Sequence, residues 1–392
     1  MRKILHYGVF LLFIALFWQC ESTRQEEGRV SQNVKVDVAE TTLKMGELFN
    51  NADLIKLFDE PIGKIIRLHY MGNKLFVWTT SGEHRIHIYD IVSGKHNRLG
   101  RLGEGPDEFS SIGDMVVDRQ WLYILDFTRR KVTVCSHEGI ASHVIVLPDW
   151  CDNFFPLDSV HVILRKKVPY GTDAEFKLNV YKDDAGNLRL VNQYMPIGEI
   201  EAERDFFQLL PLYRNKNEVR FTVPFSDTIY SVKVAGYNAA YQLDFAGQDL
   251  PHQKYKDEDM DLMAFAQYCM HSGCIWNINC VMENQQYLFF TYQQYKKAYG
   301  VFFDKQRKQS MGFDIIDDNV GLMINGIHMT EGFLPMYVTD SSMFFVAEAW
   351  FLHDLKKAGK QPSGIGTGNM KQVLHNITPS DNPVVLKYNF RN

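Results

Sequence analysis

Hydrophobic and polar residues alternate in short runs along most of the chain, the period-two pattern of strands that bury one face. Residues 65–70, 75–79, 85–89 and 96–99 form four such runs, separated by Gly72-Asn73, Ser81-Gly82 and Ser93-Gly94. Residues 115–118, 122–126, 131–135 and 143–147 repeat the arrangement, broken at Arg119-Gln120, Thr128-Arg129 and Glu138-Gly139. Short alternating strands with turn residues every eight to twelve positions predict a β-sandwich, barrel or propeller. A four-strand unit duplicated at a period of about 45–50 residues selects the propeller among them.

Comparable units follow at 152–198, 205–247, 275–316 and 326–390. The expected fold class is therefore all-β: a six-bladed β-propeller of four-stranded antiparallel blades with short helical insertions, occupying 34–392. The insertions fall at 257–271, where Met260, Met263, Ala264 and Met270 give an apolar side, and at 347–358, ahead of a glycine-rich 359–368. Before the first unit, 34–42 and 53–58 read as strands and 44–51 as a short helix or turn. A ring of sheets must close to remove its edges, which predicts that 34–42 or 53–58 pairs with 384–390. Each blade adds its own interface, so the length requires no division of 34–392 into smaller domains.

The composition, 45% hydrophobic with 13% aromatic, suits stacked sheets. A net charge of −5 argues against a nucleic-acid partner, which requires a basic surface. At the N-terminus, Arg2 and Lys3 precede an apolar run at 8–18 that is short for a membrane span. Cys20 and a polar stretch follow directly. This resembles a bacterial lipoprotein signal: a signal peptide at 1–19, lipid attachment at Cys20 and a polar tether at 20–33. Phe17-Trp18-Gln19 stands where such signals carry small residues, so an ordinary signal peptide and an uncleaved anchor stay open. The resemblance implies an exported lipoprotein associated with the outer membrane, periplasmic or at the cell surface, with the membrane itself as a partner.

Five cysteines remain, Cys135, Cys151, Cys269, Cys274 and Cys280, and an odd number excludes a fully paired disulfide framework. Cys269, Cys274 and Cys280 are spaced more widely than the C-x2-C of zinc sites. They read as one local disulfide or as buried thiols.

Several short segments resemble the six-bladed β-propeller lipoproteins of Gram-negative gut bacteria, which are similar to NHL-repeat propellers. Gly103-Glu-Gly-Pro-Asp-Glu-Phe109 is similar to their inter-blade G-x-G-P-x-E-F/Y loop, and Ser226-Asp-Thr-Ile-Tyr230 to their S/D-D-T-I-Y segment. Pro61-Ile-Gly-Lys-Ile65, Asn325-Gly326 with Phe333-Leu-Pro335, and Asp381-Asn-Pro-Val-Val385 follow in the family order. The resemblance implies the six-bladed fold and a lipid-anchored exported protein, and it brings no reaction and no catalytic residue.

Gly103, Gly105, Pro106, Glu108 and Phe109 are read as a structural inter-blade loop. Its glycines would supply positive φ, Glu108 would accept backbone hydrogen bonds and Phe109 would wedge between blades. A phosphate loop would need a following helix N-terminus, whereas here Pro106 removes a donor and strands follow. Asp126 and Asp227 read as turn caps, and His69, His84 and His87 lack H-E-x-x-H or H-x-H spacing. One constellation could meet on a propeller axis: Arg67, His69, Asp114, Asp118, Asp158, His161 and Asn277. A divalent metal there is the one cofactor such a set suggests; none is otherwise implied. Two functions follow: a ligand- or protein-binding scaffold of the cell envelope, with a glycan, peptide or envelope protein as partner, or a metal-dependent hydrolase or lyase of lactonase type.

Overall fold

The computed structural model describes residues 32–37, 41–57, 60–105, 108–165, 176–197, 212–216, 218–223, 225–248, 260–329, 332–359 and 375–391. Residues 1–19, expected as a signal peptide, Cys20, most of the expected tether at 20–33 and Pro106 lie outside the described residues. The chain opens with β1 (Gln32–Lys35), β2 (Thr42–Lys44) and β3 (Phe49–Lys56), with a single 3-10 turn at Met45–Glu47. An antiparallel sheet follows from β4 (Ile65–Met71), β5 (Lys74–Thr79), β6 (His84–Asp90) and β7 (His96–Arg101), paired in chain order. Gly72 and Asn73 both take positive φ, 57° and 64°, as a tight two-residue hairpin demands.

The next meander comprises β8 (Ile112–Val117), β9 (Leu122–Asp126), β10 (Lys131–Cys135) and β11 (Ala141–Val146). It is followed by β12 (Asn153–Pro156), β13 (His161–Arg165), β14 (Phe176–Asp184) and β15 (Asn187–Pro196). These two meanders join into one eight-stranded sheet through a parallel pairing of Val146 with Asn187. Further meanders run through β16 (Leu212–Asn215), β17 (Glu218–Thr222), β18 (Thr228–Lys233) and β19 (Gly236–Asp244), then β20 (Ile275–Glu283), β21 (Tyr287–Gln294), β22 (Lys297–Asp304) and β23 (Gln309–Phe313). Between them lies helix α1 (Leu262–His271), whose first turn is capped by Asp261 accepting from the Ala264 amide at 2.8 Å.

Past β23 come β24 (Ile315–Asp318) and β25 (Ile324–His328), then β26 (Phe333–Val338), β27 (Ser342–Ala347), helix α2 (Ala349–Lys357) and β28 (Val384–Phe390). The last sheet has the order β26-β27-β28-β3, so a strand from each end of the described chain completes it. Val385 pairs with Ile55, Leu386 with Leu54 and Tyr388 with Ala52. Of the two candidate N-terminal segments, the second closes this sheet. The 34–42 stretch, expected as one strand, divides instead. β1 adds in parallel to β19, while β2 pairs in parallel with β24. Residues 326–328, expected inside the last meander, belong to a separate hairpin with β2. The cause is Asp318, buried at the β24 end, where its carboxylate accepts from the amides of Val320, Gly321 and Leu322 and from the Tyr388 hydroxyl. That turn folds the chain back before the last meander begins.

Successive sheets stack face to face, so their middle strands are buried on both sides. Leu75, Phe76 and Val77 of β5 are all buried, and every residue of β9 is buried, whereas the outermost strand β11 is exposed at five of its six positions. Phe76, Ile86 and Ile88 pack on Phe109, Met115, Leu122 and Ile124 across the first interface. The first strands of the sheets approach one another: β4 and β8, β8 and β12, β16 and β20, β20 and β26, and β26 and β4. All five cysteines outside the N-terminus are buried free thiols, so the local disulfide is not formed.

Closure by β28 leads to a direct expectation. Removing 384–392 should abolish cooperative unfolding near the wild-type temperature, and Leu386→Ala, at a fully buried site, should cost about 2–5 kcal/mol in denaturant titrations. An unchanged melt for the truncation would show that this pairing is dispensable.

Candidate functional site

The polar side chains on the first strands converge where those strands meet. Arg67 is the third residue of β4 and Asp114 the third of β8. Each follows a β-bulge at the same point of its strand, between Ile65 and Arg67 and between Ile112 and Asp114. A bulge bends a strand and re-aims its side chains, and here it turns a guanidinium and a carboxylate towards each other. Arg67 Nη1 lies 2.8 Å from Asp114 Oδ1, with the two side chains only 7% and 1% exposed. Asn153 at the start of β12 donates to Asp114 Oδ2 at 3.1 Å and accepts from Arg165 Nη1 at 3.2 Å. The Met115 amide adds a further bond to Asp114 Oδ1 at 2.7 Å. Burial raises the Asp114 pKa, against the opposing pull of Arg67, Asn153 and the backbone amides.

His69 sits two residues along β4, deep in the molecule yet still partly reached by solvent, with Nε2 3.2 Å from the Met115 carbonyl and its ring 5.2 Å from that of Tyr337. Burial, and then the Arg67 charge, push its pKa down to about 3, so the imidazole is neutral at physiological pH.

The remaining candidates stand elsewhere. Asp118 lies just past the end of β8, roughly 13 Å along the strand from Asp114 at about 3.3 Å per residue. Its carboxylate accepts from the Gln120 and Trp121 amides and the Tyr123 hydroxyl, which makes it a turn former. Asp158 does the same after β12, accepting from the Val160 and His161 amides and from His161 Nδ1 at 2.9 Å. Arg214 of β16 reaches this level, donating to the Pro156 and Leu157 carbonyls above the Phe155 ring, with Asp118 and Asp158 as electrostatic neighbours. Asn277, half-buried with φ 51° in a bulged part of β20, makes no hydrogen bond to the Arg67–Asp114 group among the described residues. The single axial set thus divides into two levels with Asn277 apart.

A second buried ionic group escaped sequence reasoning. Glu283, at the end of β20, accepts from Arg220 Nε at 3.1 Å, from the Tyr241 hydroxyl and from Lys305 Nζ. Its partners come from β17, β19 and the turn after β22, with no local spacing to betray them. A cavity of about 320 Å³ beside the closing sheet, lined by Phe49, Asn50, Asn319 and Arg391 among others, was likewise not foreseen.

The Gly-Glu-Gly loop works as a buttress between sheets. Glu108 Oε2 accepts from the Gly105 amide at 2.8 Å, Phe109 is buried, and Arg129 donates to the carbonyls of Gly103, Gly105 and Glu108. The expected positive φ is absent at Gly103 and Gly105. Glycine is needed for space instead, since a Cβ on Gly103 would lie 2.0 Å from Glu108 Oε2. Asp126, fully buried, accepts from the Arg129 and Ser110 amides and so ties this loop to the turn after β9.

Two tests address the group. Asp114→Asn removes the buried carboxylate that faces the Arg67 guanidinium and should destabilise the fold by about 3–5 kcal/mol. A histidine with a lowered folded-state pKa takes up protons more readily in the unfolded chain, so stability is lost as pH falls below 6.5. His69 at about 3 and His87 at about 4 act in this sense. Denaturant titrations between pH 7 and pH 4 should show falling stability for the wild type and a shallower fall for His69→Gln; equal slopes would show that His69 is not protected from protons.

A solved structure of a Bacteroides fragilis protein assigned to the exported class matches with a TM-score of 0.70 at 17% identity, over 92% of this chain and 99% of that one. A member of the DUF4221 family from Bacteroides vulgatus matches with a TM-score of 0.50 at 10% identity, over 88% of this chain and 99% of that one. The β-propeller domain of the trilobed protease from Pyrococcus furiosus is a more distant neighbour, with a TM-score of 0.38 at 8% identity over 72% of this chain and 77% of that one. At such identities the likeness concerns the fold alone. No curated protein matches the sequence. The model of the family described as Domain of unknown function (DUF4934) covers residues 32–389, and the chain belongs to that family.

Proposed function

We propose that the meanders are six four-stranded blades around an axis lined by their first strands. We further propose that the protein is exported, anchored by lipid at Cys20, and acts as a ligand- or protein-binding scaffold of the cell envelope. The approach of β26 to β4 supports a closed ring, and the export class of the Bacteroides fragilis neighbour supports the location. The lipoprotein-like Arg2-Lys3, apolar run and Cys20 support the anchor. The observation that carries the binding reading is the engagement of Asp114. Its two oxygens are held by Arg67, Asn153 and the Met115 amide, so the axial charges join blades to one another. That leaves recognition to the variable loops at the rims, with a glycan, a peptide or an envelope protein as partner.

The alternative, a hydrolase or lyase with a divalent metal in the central channel, needs three convergent ligand atoms. His69 and Asp114 lie at one level of the first strands and Asp118, Asp158 and His161 at another, which weighs against it.

Metabolic palmitate labelling should mark the wild type and not Cys20→Ser; an unlabelled wild type would remove the anchor. The purified full-length chain should give saturable, micromolar or tighter binding to one class on glycan and peptide arrays. Turnover of lactones or esters that is lost in His69→Ala would replace the binding reading with the hydrolytic one.

A further inference from the structure

We propose that His87, His96 and Glu60 form a binding site for a divalent transition metal of the zinc class, set in the first sheet away from the first strands. His87 lies opposite Arg98 in the β6–β7 ladder, and His96 is two residues from Arg98, so the two histidines share one face of adjacent strands. His87 Nδ1 is 3.1 Å from His96 Nε2. Two imidazoles bound to one tetrahedral zinc at about 2.0–2.1 Å place their nitrogens about 3.3 Å apart, so the pair has nearly the separation required. Glu60, in the loop leading to β4, supplies the third donor. One nitrogen of each histidine and one Glu60 oxygen lie within 4.8 Å of one another.

The donor chemistry fits this class of ion. Two neutral imidazoles and a carboxylate suit zinc, cobalt or nickel better than calcium or magnesium, which take oxygen ligands. His87 is 3% exposed, and burial, followed by His96, His84 and Arg98, pushes its pKa down to about 4. His96 is lowered as well, first by burial, and both rings keep a lone pair at neutral pH. Metal binding requires the tautomer of each ring that carries its proton on the nitrogen away from the ion, so that both lone pairs face it. Arg98 Nε, now 2.8 Å from Glu60 Oε1, belongs to a half-exposed side chain that can turn to solvent and free the carboxylate.

The site would act as a staple. The Glu60 carbonyl accepts from Asn382 Nδ2 at 2.6 Å, and the Ile62 amide donates to Asn382 Oδ1 at 3.0 Å. The loop carrying Glu60 is thus already tied to the segment before β28. An ion held by Glu60, His87 and His96 would fix the other side of that loop to β6 and β7, joining the first sheet to the closing sheet through one short segment.

The test uses the untagged full-length chain, stripped with chelator and titrated with zinc(II) alone. About one equivalent should bind, with a rise in melting temperature, and cobalt(II) should give the visible bands of a tetrahedral nitrogen–oxygen site. His96→Ala and His87→Ala should lose binding and the thermal shift, and Glu60→Gln should weaken binding roughly 10–100-fold. His143→Ala, at an exposed histidine, should leave both unchanged. If His87→Ala fails to fold, His96→Ala and Glu60→Gln carry the test. A folded wild type that takes up no zinc, or stoichiometric zinc retained by His96→Ala, overturns the proposal.

Discussion

Burial of each sheet on both of its faces is the constraint on which the structure depends. A strand such as β5, with Leu75, Phe76 and Val77 all enclosed, is stable only with a neighbouring sheet on either side. A row of sheets built this way always has an uncovered first and last member unless the row returns on itself. The β3–β28 ladder meets that need by putting Phe49–Lys56 beside Val384–Phe390. Leu54 and Leu386 become ladder partners although most of the chain separates them, and Phe49, Phe345 and Tyr388 share one aromatic cluster.

The first strands impose a second condition. Where they meet, backbone and side chains are crowded, and polar atoms there must find partners within the protein. The recurrent bulges in β4 and β8 meet the condition by aiming Arg67 at Asp114, and Asn153 carries the chain of bonds on to Arg165. Glu283 gathers Arg220, Tyr241 and Lys305 in a similar way near the end of β20. The two buried ionic groups, Arg67 with Asp114 and Arg220 with Glu283, each join strands that belong to different sheets.

Much of the strand content could be read from the sequence because turns are written locally. Gly72-Asn73 and Glu138-Gly139 need no distant partner to mark a reversal, and the meanders around them stand where the alternation placed them. The division of 34–42 into β1 and β2 was hidden, since parallel pairing to β19 and β24 is decided by sheets far along the chain. The boundary at 326 was hidden by Asp318, whose capping depends on Tyr388 as well as on local amides. At the candidate site, residue type identified Arg67, His69 and Asp114, but alternation gives the face of a strand and not the height along it. Asp118 and Asp158 therefore read as axial when they form turns. The partnership of His87 with His96 and Glu60 has no sequence spacing of its own; it exists only once β6, β7 and the preceding loop are side by side.

The first described segment also has a mechanical meaning. β1 lies parallel along β19 through four residue pairs, Gln32 to Lys35, and the chain then crosses to β23, where Ser310 and Gly312 bond Lys35, Asp37 and Thr41. Tension arriving along the chain ahead of Gln32 is met first by this strap on the outer edges of two sheets. The strap spreads load sideways before any of it reaches β3, so the strand that closes the last sheet is shielded from a pull at the N-terminus. A protein held at that end could be tugged, and its outer strand peeled and re-laid, while the β3–β28 pairing behind it stays shut.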